Sequence, residues 1–415
     1  MKTFKIFIAL FLAASLTVNI VSCVPAAQAA DLMKDVSSKP VNGKLADETF
    51  VESMADFSME LFKKSITDKE NSLISPLSVM LALAMTANGA DSETLSQMEN
   101  LLGGDIALTE LNEYLYGYVK GLPNKSKSKL SIADSIWFRD DGRLSVEADF
   151  LQKNADYYNA AAYKSAFDAK AAKDINNWVK TNTGGMIDKI IDEINDDVML
   201  YLINAVAFEA EWQNVYYENN IRKGDFTDID KKTQNVDFMY SDEYKYLDGG
   251  KATGFIKPYF GNHYSFAALL PDDDISIEAY IGSLTGADFI DIIKNAQNTK
   301  VNASMPKFKY EYQIEMNDAL KALGMPDAFD IDRADFKKMA VFSGGNIYIS
   351  EVLHKTYISV DELGTKAGAV TMVAEGAGSA PAEPKTVRLD RPFVYAIIDN
   401  ATNLPVFIGA VMSLG

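Results

Sequence analysis

Apolar and polar positions follow several different rhythms along this chain, and each rhythm predicts a different element. Phe50, Met54, Phe57 and Leu61 recur at helical spacing and predict a first amphipathic helix. Ser75 is placed to cap a second helix and Pro76 to fill its first turn; the helix runs to Ala87 and stops at Asn88-Gly89. Leu95, Met98 and Leu102 mark the inward face of a third helix, ending at Gly103-Gly104. Residues 131–138 alternate and contain Trp137, as a strand should. Residues 198–208 are almost wholly apolar, which predicts a strand buried on both faces. Residues 266–271 read as a strand ending in a turn. Two further strand-like runs, 347–360 and 393–411, flank a stretch of another kind.

That stretch, 361–384, is built mostly from small side chains, and between Thr365 and Ser379 only Lys366 and Glu375 are charged. It has little to pack into a core. By alternation, though, Thr365, Ala367, Ala369, Thr371 and Val373 share one face, and all are small or β-branched. Two readings follow: a solvated linker, or a loop built to be cut and then to enter a sheet.

Composition narrows the function. Apolar content of 48% and aromatic content of 11% are those of a globular protein with a large core. Length alone allows two or three domains, but no long linker or internal repeat divides the chain. A formal charge of −18 argues against a nucleic-acid partner and favours solubility. The start differs from the rest. Lys2 and Lys5 precede an apolar run, 6–18, too short to span a membrane comfortably, which reads as a secretory signal. Cys23 is the only cysteine, so no intramolecular disulfide can form. Standing after Ser22 and the apolar run, it resembles the cleavage box of bacterial lipoproteins; the rival is ordinary cleavage at Ala27-Gln28-Ala29. The expected organisation is a signal peptide over 1–22, a polar tether over 23–44 with Cys23 lipidated, and one domain over 45–415. The protein is exported, either anchored in the cell envelope at Cys23 or secreted to the extracellular space. Its contact with membrane is then only through the lipid anchor.

Chemistry of its own is hard to find. The chain has two histidines, His263 and His354, no G-x-S-x-G elbow, no phosphate-binding glycine loop and no zinc spacing. Asp228 with Asp230, and Asp272-Asp273-Asp274, lack the glycine and distal glutamate of a calcium loop. No enzymatic activity, cofactor or metal is expected.

A resemblance gives the small-residue stretch a role. Ser350-Glu351-Val352-Leu353-His354-Lys355-Thr356, Glu362-Leu363-Gly364-Thr365-Lys366-Ala367 and Asp390-Arg391-Pro392-Phe393 resemble the C-terminal signature of the serpins, the serine-protease-inhibitor family. So, in order, do Asn71-Ser72-Leu73-Ile74-Ser75-Pro76-Leu77-Ser78, Ile175-Asn176-Asn177-Trp178-Val179, Asn204-Ala205-Val206 with Trp212, and Met305-Pro306-Lys307-Phe308. The resemblance implies an α+β fold with three β-sheets, about nine helices and an exposed reactive loop. It implies an inhibitor of a serine-type endopeptidase that acts as a suicide substrate. The protease cuts the loop and is acylated; the cut loop then enters the main sheet as a new strand and carries the deformed enzyme to the far pole. The partner is an extracellular serine protease, with a cysteine protease as a further option, and the inhibitor is a monomer. The alternative is a non-inhibitory serpin acting as a binding module or plain substrate.

Matching positions also imply site residues. Glu362, Gly364, Thr365, Ala367, Ala369 and Thr371 form the hinge, with Glu362 paired to Lys307. Ser75, Ser78, Asn204 and His354 form a polar cluster under the opening strands, and Trp212 lies where the loop first enters. Counting from Gly364 by the family's hinge-to-cut distance puts the reactive bond at Gly378–Ser379, with cuts at Ala374, Ala377 or Ala380 as neighbours. Counting back from Phe393 lands nearer Pro381. Small residues there favour an elastase- or subtilisin-like target over trypsin, whose pocket needs a cation. The family pattern is broken at Gly368 and Val370, which insertion tolerates, and at Glu375, which parity places on the inward face. Burying a carboxylate without a partner would cost several kcal/mol.

Overall fold

A computed structural model describes residues 29–67, 69–125, 127–140, 142–195, 197–365 and 383–414. Helix α1 (Glu48–Lys64) begins where the Asp47 carboxylate accepts the Phe50 N–H at 3.1 Å, and it buries Phe50, Met54, Phe57 and Leu61 as their spacing requires. Helix α2 (Pro76–Ala87) starts at the Ser75 cap with Pro76 in its first turn, and all 12 of its residues are buried. Such an all-round apolar helix belongs between two layers. Helix α3 (Ser92–Leu102) buries Met98 and Leu102, while Leu95 is half-buried. Helices α4 (Leu108–Gly121), α5 (Ala148–Tyr158) and α6 (Ala169–Asn182) follow.

The largest sheet has seven strands: β1 (Ala30–Asp31), β2 (Ser128–Arg139), β3 (Ala161–Ser165), β4 (Leu200–Glu211), β5 (Phe308–Glu315), β6 (Glu351–Val360) and β7 (Gly364–Thr365). Their order across the sheet is β1-β3-β2-β4-β7-β6-β5. As the apolar run predicts, β4 is central; all its residues but Glu209 are buried. One face packs on α2 and a six-stranded sheet, and the other is covered by α6 through Trp137, Ile175, Val179, Tyr201 and Ile203. A four-stranded sheet is the third. Three main sheets match the expectation; a small pair, Ala340–Phe342 with Leu144–Val146, is added to them. Nine α-helices lie among the described residues.

Two expectations need correction. The run 393–411 is two antiparallel strands, Phe393–Asp399 and Pro405–Val411, because the Asp399 carboxylate accepts the Thr402 hydroxyl at 2.6 Å and the Ala401 N–H at 3.2 Å and so closes a turn. The described part of the expected tether, 29–44, is a strap lying along the domain. Strand β1 pairs with β3, the Leu32 N–H donates to Ala162 O at 2.9 Å, Gln152 donates to Ser37 O at 3.0 Å, and the Lys44 N–H donates to Glu113 O at 3.0 Å. The strap is held by backbone hydrogen bonds and by Leu32, Met33 and Val36, which pack partly buried against the core; in the sequence these few apolar residues are outnumbered by polar ones. It crosses α4 at Gly117, where an added Cβ would stand 2.0 Å from Lys44 O.

Gly117→Ala tests that crossing. In an exposed helix interior the change should stabilise by about 1 kcal/mol. Here the overlap should instead cost about 1–3 kcal/mol and loosen the strap. Tryptic cleavage at Lys34 or Lys44 should accelerate; an unchanged digestion rate would contradict the close approach.

Candidate functional site: a parted sheet and the cluster beneath it

Strands β4 and β6 run parallel and pair directly at six positions, from Glu351 opposite Tyr201 to Thr356 opposite Val206. Above Thr356 they part. The gap is entered at its mouth by β7, whose Thr365 stands opposite Ala210 on one side and Val360 on the other. Being antiparallel to both neighbours, β7 points down into the gap. Gly364 is required there: its φ is +156°, and an added Cβ would sit 2.0 Å from Ala210 O.

The turn before β7 is held from several sides. The indole N–H of Trp212 donates to Asp361 O at 2.9 Å, and the Trp212 backbone N–H donates to Leu363 O at 2.9 Å. The Tyr216 N–H donates to Glu362 O at 2.9 Å. Thr365 is buried, with its hydroxyl 2.6 Å from that of Tyr259, and Tyr259 stacks on Trp212 at 4.5 Å. Lys307 sits at the joint between Val301–Pro306 of the third sheet and β5, and its Nζ donates to Glu362 Oε2 at 2.5 Å. That hydrogen bond holds the Glu362 carboxyl below its usual range. Behind the indole, Lys257 and Glu243 form a buried ion pair at 2.8 Å, with the ammonium 4.4 Å from the Tyr216 ring centroid. Burial alone would lower the Lys257 pKa, but Glu243 and Tyr216 outweigh it and the pKa is raised.

Below the gap, the structure brings Ser75, Ser78, Asn204 and His354 together, all fully buried. The Ser75 N–H donates to His354 Nε2 at 3.1 Å, so the ring proton is on Nδ1, which donates to Asn204 Oδ1. Asn204 Nδ2 donates to Ser78 Oγ and to Asp134 Oδ1, and the Ser78 hydroxyl donates to Asp134 Oδ1 at 3.3 Å. The Ser75 hydroxyl donates to Val406 O at 2.8 Å. The cluster thus ties β4 to β6 across the seam and both to the N-terminus of α2.

Asp134, Tyr216, Glu243, Lys257 and Tyr259 are absent from the sequence-based site. Two of them leave a trace in the sequence. Asp134 shares strand parity with Ile132, Ile136 and Phe138, so it falls on an apolar face, and Lys257 is the one charge in Phe255-Ile256-Lys257-Pro258-Tyr259. The acidic runs are otherwise engaged: Asp228 accepts the Lys232 N–H at 2.8 Å, Asp230 pairs with Lys69 at 2.7 Å, and Asp273 pairs with Arg391 at 3.0 Å. Cys23, Ala367, Ala369, Thr371, Glu375, Gly378 and Ser379 lie outside the described residues.

The cluster has a definite proton balance. Burial pushes the Asp134 carboxyl up to about 7 from 3.8 and pulls His354 down to about 3 from 6.5. Asp134 therefore contributes stability that is complete below 3.8 and lost as pH rises through about 7. His354 contributes stability that is present above 6.5 and lost as pH falls toward about 3. Between 3.8 and 6.5 the two slopes cancel, because the native pair and the unfolded pair each hold one proton. Asp134→Asn removes one slope. The variant's denaturant midpoint should drop as pH falls from about 6.5 to 4, relative to that of the parent. Parallel pH profiles for the two proteins would overturn this proton balance.

Comparison with known proteins agrees with this geometry. Residues 52–414 match the family model described as Serpin (serine protease inhibitor). An uncharacterized serpin-like protein of Thermococcus kodakarensis is 29% identical over 92% of this chain and 88% of its own length. The crystal structure of the thermophilic serpin tengpin in its native state superposes with a TM-score of 0.90 at 59% identity, covering 93% of this chain and all of that one. The latent state of tengpin gives a TM-score of 0.81 at 58% identity, over 90% of this chain and all of that one. The better fit to the native state goes with a sheet that holds, among the described residues, only Gly364 and Thr365 of the hinge. With its parted sheet, its short entering strand and a family match across most of its length, the chain belongs to the serpins.

Proposed function

We propose that this serpin inhibits a serine-type endopeptidase by loop cleavage, acyl-enzyme trapping and strand insertion, with no catalytic activity of its own. One observation carries the reading. The main sheet is parted at one end, and the strand at its mouth points along the gap. Insertion would replace six parallel pairings between β4 and β6 by antiparallel ladders on both sides of a new strand. Each added backbone hydrogen bond contributes roughly 0.5–1.5 kcal/mol net. Ordering each residue costs about 1–2 kcal/mol, so the ladders alone do not drive the step. Release of strain in the parted sheet supplies the remainder, as is known of the family.

The reactive bond is Gly378–Ser379. With Ala377 before it, small residues occupy the positions offered to the protease, which suits an elastase- or subtilisin-like enzyme. The partner is an extracellular protease, and Cys23 carries the lipid that anchors the protein to the cell envelope; a mature chain beginning at Ala30 would overturn the anchor. Incubation with elastase should give a heat- and detergent-stable complex and a released fragment beginning at Ser379, and trypsin should give neither. Cleavage at that bond without a complex would overturn the inhibitory reading.

Glu362 and Lys307 are both partly exposed, so their ion pair contributes only about 0–1 kcal/mol. Its role is to fix the turn from which β7 enters the gap. Glu362→Lys replaces the attraction with repulsion at that turn. Prolonged warming should then cost the variant its inhibitory capacity faster than the parent, through latency or polymerisation. Equal rates of loss would remove the hinge role.

A further inference from the structure

A cavity of about 370 Å³ lies where α2, α4, α5 and α6 close around the edge of β2. Strand β3 covers β2 only from Ser135 to Arg139, so the cavity meets β2 at Ile132–Asp134. Four aromatic residues line it: Tyr157 and Tyr158 at the end of α5, Tyr163 of β3 and Trp178 of α6. Asp134 and Leu115 of α4 also line it. The site is built, not loose. The Tyr158 hydroxyl donates to Asn112 Oδ1, and the Tyr163 ring stacks on Trp137 at 4.4 Å.

Asp134 is a deep carboxyl group whose hydrogen-bonding partners are the neutral Ser78 and Asn204. Both of those bonds land on Oδ1, which leaves Oδ2 for another donor. The residue as a whole is half-buried, and it borders the cavity. A carboxylate among aromatic faces is the environment that selects an organic cation: the rings attract positive charge through their quadrupoles, and the carboxylate supplies the counter-charge. A metal ion is poorly served, because there is one carboxylate and no histidine in the lining. A neutral apolar molecule would offer no donor to Asp134 Oδ2. Pre-set walls also reduce the ordering cost of binding.

We propose that this cavity binds an arylalkylammonium ion, its ring among Tyr157, Tyr158, Tyr163 and Trp178 and its ammonium group donating to Asp134. The lining includes none of the described hinge residues, and the proposal stands whether or not the chain inhibits a protease.

The chain has three tryptophans, of which Trp137 and Trp212 are fully buried, so an emission change on ligand entry reports mainly Trp178. The test titrates the full chain with 2-phenylethylammonium and, separately, with neutral 2-phenylethanol, by tryptophan emission and calorimetry. Saturable binding of the ammonium with a Kd below about 1 mM is expected. Asp134→Asn should weaken the ammonium by at least about tenfold and leave the alcohol unchanged. Ala161→Leu, which fills the cavity from β3, should weaken both. Absence of saturable binding to the parent up to about 10 mM would overturn the proposal, as would a folded Asp134→Asn protein that binds the ammonium as tightly as the parent. If Asp134→Asn does not fold, undiminished ammonium binding by Ala161→Leu overturns it equally.

Discussion

The seam between β4 and β6 is the constraint on which the rest of this structure depends. Two parallel strands paired at six positions and then separated are an unusual arrangement inside a buried sheet, because separation leaves edge groups without ladder partners. The upper end is tolerated because β7 and the turn before it supply partners at the mouth, with Trp212 and Tyr216 donating to the turn's carbonyls. The lower end is held shut by side chains as well as backbone. The hydrogen bond from His354 to Asn204 crosses the seam at the register position where the two residues are Cα partners. A strand entering from above must break that bond to advance.

Why a histidine can hold this place follows from its surroundings. One ring nitrogen accepts from Ser75 and the other donates to Asn204, so the neutral ring has both its groups satisfied. A second ring proton would have the Ser75 N–H as its only neighbour there, donor against donor. Burial and hydrogen bonding therefore act in the same direction, toward a neutral ring. Asp134 closes the chain of donors at its acceptor end, which gives Asn204 a single orientation. The cluster is fixed from the α2 cap to β2, and a shift in either is felt at the seam.

Much of this was legible in the sequence because local chemistry and tertiary role coincide. Ser75-Pro76 is a helix start by capping rules alone, and the same cap places the Ser75 N–H against His354. The apolar run at 198–208 is a central strand because only a doubly buried strand has no use for polar positions. What escaped was fixed by long-range partners. The strap over 29–44 is polar in sequence and is held by hydrogen bonds to residues more than 60 positions away, such as Lys44 to Glu113. Asp134 and Lys257 are single charges inside apolar runs. Their parity puts them on an inward face, but nothing local says that Ser78 and Asn204, or Glu243, would be waiting. Glu362 and Lys307 were found through the family's matching positions, since 55 residues separate them.

The register at the mouth of the gap carries one step further. Thr365 stands opposite Ala210 and Val360, and both pairings are antiparallel. If β7 is extended at that register, each residue gained on the hinge is one residue lost on β4 and on β6. Thr371 then arrives opposite Asn204 on one side and His354 on the other, the two residues whose direct bond the new strand must break. It has the same parity as the buried Thr365, so its hydroxyl would face the cluster and could accept from His354 Nδ1 in place of Asn204. Continuing the count, Glu375 arrives opposite Leu200, the first residue of β4, and Ser350, just outside β6. Leu200 is fully buried, so a carboxylate arriving there would still cost several kcal/mol unless insertion stops short of it. In the inserted state proposed for this chain, the hinge thus brings a hydroxyl where the seam loses a partner, and its first inward charge only where the sheet ends.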